Sequence, residues 1–376
     1  MFRWLKNVIF LSGKEFKSLF SDPILVVLII YMFSAALYTV ANTISTEVKN
    51  GSVAIIDNDH SMLSYRLQNS LIPPYFRKVH EIQEKDAHRL MDTGEYTFII
   101  DIPPNYEIDT LADRDPQIHL SIDATAMTQA AIGSSYITQI FMREKNDFLQ
   151  IKDSSHIMPI KMAINVLYNP NYSSKWFMGT MQIVGNLNLL TMLLVGAAII
   201  RERERGTIEH LLVMPVRSSE IAIAKIIANG SVLLVVVALA LQFVTGGLLG
   251  VPLPKHALIL FVMGAFTFIF AIASLGIMLA IFAPTMPQFG LLCIPVYVVM
   301  YLLSGTVSPI ENMPEIAQYL TQLSPTTIFG SYAQDVIFRG ANLTMVWDKL
   351  LKMIGLGAVF LSIALVQFKT MLSKQG

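Results

Sequence analysis

A helix needs about 20 consecutive apolar residues to cross the roughly 30 Å hydrocarbon layer of a bilayer, and this 376-residue chain supplies such stretches repeatedly. Six segments qualify: 23–44, 177–200, 226–250, 257–283, 289–307 and 346–368. The last has a short uncharged core starting near Leu350, but Lys352 and Lys369 can snorkel outward from its opposite ends and let it span. Because 53% of the residues are hydrophobic and only 14% are charged, the expected class is a polytopic α-helical membrane protein. Basic and acidic residues number 27 each, so nothing in the overall charge favours nucleic acid and no such partner is expected. The one cysteine, Cys293, lies in an apolar segment. It can form no disulfide within the chain and is expected to pack as a small hydrophobe.

Basic residues fall on one side of an alternating six-helix path. Arg3, Lys6, Lys14 and Lys17 precede the first span, Arg201, Arg203, Arg205, Arg217 and Lys225 separate the second from the third, and Lys369 and Lys374 close the chain. Basic flanks mark the cytoplasmic side. Both termini, including the tail 369–376, are therefore expected inside and segment 45–176 outside. The first apolar stretch is too long for a signal-peptide core and follows about 20 residues, so it reads as an uncleaved anchor. Those residues, 1–22, form an amphipathic interfacial helix at about 100° per residue. Arg3, Lys6, Lys14 and Lys17 share one face; Phe2, Leu5, Ile9, Phe16 and Phe20 share another. Asp22-Pro23 makes the turn into the bilayer.

Segment 45–176 is long enough for a core of its own and alternates strand and helix patterns. Val53 to Asp57, Thr97 to Ile102, Ile118 to Ile122 and Met162 to Leu167 are short β-branched runs. Ser61 to Leu71, Lys85 to Asp92 and Thr125 to Lys152 have helical character. The expected domain is mixed α/β. Asp57-Asn-Asp-His60 clusters metal-ligating types but lacks the glycine and distal glutamate of a calcium loop, so it reads as a turn leading into a helix cap. No metal site is expected.

The densest charge run is Arg201-Glu-Arg-Glu-Arg-Gly-Thr-Ile-Glu-His-Leu-Leu-Val-Met-Pro215. Charges cost roughly 2.5 to 3.5 kcal/mol each at a bilayer centre, so the second span must end at Ile200. A helix continuing through the run would place Arg201 near Glu204 and Glu202 near Arg205 on a solvated surface, until Gly206 interrupts it and Pro215 limits it. Later, Ser304-Gly-Thr-Val-Ser-Pro-Ile-Glu-Asn-Met-Pro314, Leu323-Ser-Pro-Thr-Thr327 and Arg339-Gly340 are too polar to cross lipid. Segment 308–345 is expected to re-enter the outer leaflet as short helices buried against protein.

The charge run resembles the cytoplasmic loop between the second and third spans of ABC-2 type exporter permeases, and the second set of motifs resembles the same family. The resemblance covers essentially the whole chain. It implies six spans of ABC-2 exporter type, a periplasmic α/β insertion between the first two, and a bacterial inner-membrane location. It further implies that segment 201–225 is a coupling loop where a separate cytoplasmic ABC ATPase docks. On it, Arg201, Glu202, Arg203, Glu204, Arg205 and Glu209 would make contacts, Gly206 and Thr207 would set the bend, and Leu211, Leu212 and Pro215 complete the motif. A second permease copy or paralogue, a periplasmic adaptor and an outer-membrane duct are implied as further partners.

No G-x-x-x-x-G-K-[ST] phosphate loop occurs. ATP and Mg are therefore expected on the partner, with no cofactor on this chain. The H-E-x-x-H and G-x-S-x-G motifs are also missing, so no catalytic residues are assigned and the chain is expected not to be an enzyme. Asn186, Asn188 and Thr191 in the second span, with Asn229 and Gln242 in the third, could face a substrate path or hydrogen-bond between helices. The absence of mid-span charge points to hydrophobic or amphiphilic cargo, such as a drug or lipid-like compound. The rival reading is a non-transporting membrane receptor or assembly factor carrying an external ligand-binding domain.

Overall fold

A computed structural model of the chain describes residues 2–43, 50–123, 127–149, 173–204, 217–306, 310 and 313–373. They divide into two compact units, one formed by Met1–Ile44 with Tyr168–Gly376 and the other by Ser45–Leu167. The first unit begins with helix α1 (Phe2–Phe20), which has three faces where the sequence suggested two. Lys6, Lys14 and Lys17 are exposed, and so are the apolar Leu5, Ile9 and Phe20. The face turned into protein carries Val8, Leu11, Ser12 and Leu19. Helix α2 (Pro23–Thr43) starts as expected at Asp22-Pro23. The Asp22 side chain accepts from the Leu25 amide at 3.3 Å, and Pro23 takes the first helical position, where a missing N–H costs nothing. At Met32–Ala36 the helix widens into a π turn.

The second unit holds a four-stranded sheet in the order β2-β1-β3-β4. In chain order its elements are β1 (Val53–Asp57), α3 (Met62–Ser70), β2 (His80–Glu81), α4 (Glu84–Asp92), β3 (Phe98–Ile102), α5 (Tyr106–Leu111), β4 (His119–Ile122) and α6 (Met127–Phe148). Strand β1 is parallel to β2 and β3, and β3 is antiparallel to β4. Alternation sorts the side chains to two faces. Val53, Ile55, Phe98 and Ile100 pack with Leu63, Leu67, Ile137 and Phe141; Ala54, Ile56 and Ile99 pack with Ala87 and Met91 of α4. The turn at residues 57–60 links two helix starts. Asp57 accepts from the Asp59 and His60 amides and from Ser64 Oγ. Asp59 accepts from the Glu107 amide, and Glu107 from the Leu63 amide. The strand expected at Met162 to Leu167 lies outside the described residues.

The first unit resumes with α7 (Ser174–Glu204), followed by α8 (Ser218–Leu248), α9 (Ala257–Phe282), α10 (Met286–Leu302), α11 (Glu315–Thr321), α12 (Pro325–Ile337) and α13 (Leu343–Ser373). Among the described residues, five helices, α2, α7, α8, α9 and α13, are long and apolar enough to cross a membrane. Where the fifth of the six spans was expected, at 289–307, α10 has only 17 residues, about 25 Å of helix. Pro287 in its first turn and the bend at Ser304-Gly305 bound it. By contrast, the final span, whose uncharged core looked shortest, belongs to a 31-residue helix. Its N-terminal charges are paired: Lys349 binds Asp335 and Ser331, and Lys352 binds Asp348.

Helix α7 is the axis of this unit, with 83% of its most apolar window buried against 22% for α2. Close approach makes this packing work. A side chain on Gly276 of α9 would put its Cβ 2.9 Å from the Met192 carbonyl oxygen, and one on Gly196 would run into the Phe289 ring. Small residues at such crossings let backbones meet where lipid supplies no hydrophobic drive. The short helix α12 is buried between spans, with Phe329 stacked on Phe268 at 4.4 Å and the Tyr332 hydroxyl donating to the Leu260 carbonyl.

Candidate functional site

The helix of the second span does not stop at Ile200 but runs on through Arg201, Glu202, Arg203 and Glu204. Successive side chains on a helix point about 100° apart, so these four leave in four directions. Each meets a different neighbour. Arg201 Nη1 lies 3.6 Å from Asp22 Oδ2, the residue that caps α2. Glu202 reaches Lys225 of α8 at 3.0 Å and Lys14 of α1 at 3.7 Å. Arg203 donates to the carbonyls of Ala283 at 2.7 Å and Ile281 at 3.3 Å, and Glu204 Oε1 accepts from the Met286 amide at 2.9 Å.

The signs of these last two charges follow from helix ends. Carbonyls left over at a helix C-terminus attract cations, and amides left over at an N-terminus attract anions. Arg203 meets the end of α9 and Glu204 the start of α10, so two adjacent opposite charges hold both sides of one tight connection. The intrahelical pairing expected between Arg201 and Glu204 is replaced by these outward contacts, because partner helices stand within reach on every side. Arg205, the expected partner of Glu202, lies outside the described residues, as do Gly206, Thr207, Glu209, Leu211, Leu212 and Pro215.

Lys225 is the residue that sequence reasoning missed. Treated as one more basic flank of a loop ending at 225, it instead sits inside α8 with 1% of its surface exposed. Helix α8 begins at Ser218 because Glu220 reaches back to accept from the Arg217 amide at 3.0 Å. An unpaired charge this deeply buried would cost several kcal/mol. Lys225 Nζ is met by Glu15 at 2.7 Å, Glu202 at 3.0 Å and the Ala198 carbonyl at 3.2 Å. Glu15 belongs to the third face of α1, where Asn7 donates to Glu220 and Ser12 to the Ala224 carbonyl. The available signal was a lone lysine in the apolar run Ile221 to Ala228, and a lone glutamate on a basic helix.

The polar residues of the spans separate into two kinds. Asn186 donates to the Met32 carbonyl at 2.5 Å, at the start of the π turn in α2, and accepts from Gln182. Asn229 donates to the Lys225 carbonyl one turn earlier. Both serve helix structure. Asn188 donates to Thr326 Oγ1 at 2.9 Å, yet its own carbonyl oxygen is buried without a partner, as are the hydroxyls of Thr191, Ser324 and Thr327. Gln242 is exposed, in the π-helical stretch Ala240–Leu248, and so does not join this layer.

Long apolar helices packed around one axial span, with a charged node at one end of it, define a multi-pass helical membrane protein. Residues 17–366 match the family described as ABC-2 family transporter protein, and the chain belongs to that family. It is 40% identical over 368 residues to the inner membrane transport permease YhhJ of Escherichia coli strain K12, covering 98% of each chain. It is 27% identical over 376 residues to the probable multidrug ABC transporter permease YbhR of the same strain, covering 96% of this chain and 97% of that one. With the probable multidrug ABC transporter permease YbhS it shares 22% identity over 349 residues and 88% of each chain. The chain is a transport permease subunit.

Proposed function

We propose that this permease is the membrane half of an ATP-driven exporter for hydrophobic or amphiphilic compounds, and that the charged end of α7 receives force from a separate cytoplasmic ABC ATPase. The observation that carries this reading is the fourfold fan of contacts from Arg201 to Glu204. A push on the segment that follows Glu204 would reach α2, α1 with α8, α9 and α10 together, because each is tied to one of the four side chains. Segment 205–216 then provides the docking contacts, and residues 201–204 pass the motion on.

In this reading six helices span the inner membrane, α10 being the sixth and shortest, with both termini in the cytoplasm and residues 45–176 in the periplasm. Helices α11 and α12 re-enter from the outer side. Two permeases, identical or paralogous, enclose the path. The unpartnered oxygens at Asn188, Thr191 and Thr327 suit water or the polar end of a passing amphiphile, since a buried polar group without a partner costs about 1 to 3 kcal/mol. The relatives named as multidrug permeases support such cargo. The insertion then serves an adaptor that leads to an outer-membrane duct.

Gentle extraction of the tagged chain should recover a P-loop ATPase whose activity rises with transported compound. Exchanging the charges as Arg203→Glu with Glu204→Arg puts like polarity at both helix ends, and is expected to abolish that stimulation while the complex still assembles. Wild-type stimulation in the double variant would remove the node from the mechanism. Failure to recover any ATPase would favour the receptor reading.

A further inference from the structure

An apolar groove of about 460 Å³ runs between the last turn of α1, the first two turns of α2 and the middle of α8. Leu19 and Ile29 form its buried floor, and Phe20, Ile30 and Val235 stand exposed along its rim. Its single lining hydroxyl, on Ser231, donates to the Ile227 carbonyl at 2.6 Å. The walls therefore offer carbon surface, the chemistry of a hydrocarbon chain. Its size falls within the range of small-ligand sites.

Charge stands beside it. At 100° per residue, Lys17 projects about 60° around α1 from Phe20, which lines the groove. Lys17 is exposed and has no ion-pair partner among the described residues, whereas Lys14, one turn earlier, is bound to Glu202. The exposed apolar stripe of α1, with Leu5, Ile9 and Phe20, gives this helix the form of one that lies in a bilayer surface. A groove that opens beneath such a helix, with an exposed lysine on the adjoining face of that helix, fits a two-part ligand.

We propose that this groove binds an acyl chain of an anionic phospholipid whose headgroup phosphate rests on Lys17. The lysine charge selects the anionic headgroup; the carbon walls hold the tail. The same lipid would wedge α1 against α2 and α8. Since α1 carries Glu15 to Lys225, lipid occupancy would set the position of the charged node. This inference needs only that the chain spans a membrane, and stands whether or not the exporter reading does.

The test uses the full chain in nanodiscs of phosphatidylglycerol and phosphatidylethanolamine with identical acyl chains, followed by native mass spectrometry of the lipid retained. Retention of phosphatidylglycerol in preference to phosphatidylethanolamine is expected. Lys17→Gln should lower that preference about fivefold, the equivalent of the roughly 1 kcal/mol that one lysine near an anionic surface contributes, and Lys17→Arg should restore it. Val235→Trp should fill the groove and release either lipid, with Ile30→Phe as a second filling variant should the first fail to fold. Equal retention of both lipids by the wild type would overturn the proposal. So would an equal loss on Lys6→Gln, about 16 Å away on the same basic face, since that would report surface charge alone. Retained lipid in a folded groove-filled variant, or a wild-type dimer that this variant dissociates without any lipid change, would likewise overturn it.

Discussion

Polar groups at the end and at the middle of one helix, α7, meet their surroundings in opposite ways. At Arg201 to Glu204 every side chain has a partner on another element. About three to four turns earlier, at Asn188 and Thr191, the oxygens are buried and unanswered. Paired charges resist separation, because pulling one away leaves the other exposed to the full cost of desolvation. Unpaired neutral oxygens add no such tie, and there the Asn188 amide alone of these two side chains reaches another element, at Thr326. The contrast assigns stiffness to the charged end and receptivity to the middle.

The sharpest way to break the contrast is at Lys225. Lys225→Ala leaves Glu15 and Glu202 facing one another without their cation, and a loss of about 3 to 5 kcal/mol is expected, read as a lowered unfolding temperature of the purified chain. Combining Lys225→Met with Glu15→Gln and Glu202→Gln should recover most of it. If the triple variant is no better than the single one, the node is not held by charge.

Next in size is the crossing of α7 and α9. Gly276→Ala forces the backbones apart at Met192 and is expected to cost about 1 to 3 kcal/mol as overpacking, measured in the same unfolding assay. A neutral result would mean that the spans slide past one another easily and that α7 is no rigid axis.

Thr191→Val sharpens the other side. It replaces an unanswered hydroxyl with a methyl of like shape, so stability should hold or rise by up to about 1 kcal/mol, while transport of an amphiphilic dye falls. A destabilised Thr191→Val protein would show that the hydroxyl already has a partner, which would erase the difference between the two regions.

The smallest effect is expected at Arg201. Its contact with Asp22 is partly exposed, with side chains 25% and 36% accessible, and exposed pairs contribute about 0 to 1 kcal/mol. A double-mutant cycle of Arg201→Gln and Asp22→Asn should return a coupling in that range. A larger value would make the N-terminal cap of α2 part of the rigid node.

Much of this architecture was legible because it rests on composition and local chemistry. Helix α9 carries no charge from Ala257 to Phe282, and it was expected within a residue of its observed limits. Strands β1, β3 and β4 and helices α3 and α4 follow their alternation and caps. Short elements set by tertiary context were not legible. Strand β2 is a residue pair recruited by β1, and α5 follows Asn105 in a left-handed conformation at φ 63°. Helix α13 begins at Leu343, ahead of the apolar core near Leu350, because Asp335 and Ser331 of α12 answer Lys349, a partnership no local pattern encodes. The charged node was half legible. The run itself stood out, but its meaning depends on Asp22, Glu15, Lys14 and Lys225, spread across more than 200 positions of the chain.

The fan at 201–204 is sensitive to the length of the chain that precedes it. Its contacts are fixed in phase as well as in identity: inserting a single residue just before Arg201 would turn all four side chains by about 100°. Arg201 would then face the place made for Glu202, Glu202 that of Arg203 and Arg203 that of Glu204, with the inserted residue left opposite Asp22. Point substitutions there injure one tie at a time, whereas a one-residue insertion or deletion between Ile200 and Arg201 mismatches the whole set. The segment behaves as a keyed shaft, tolerant of small wear and intolerant of being seated one notch out.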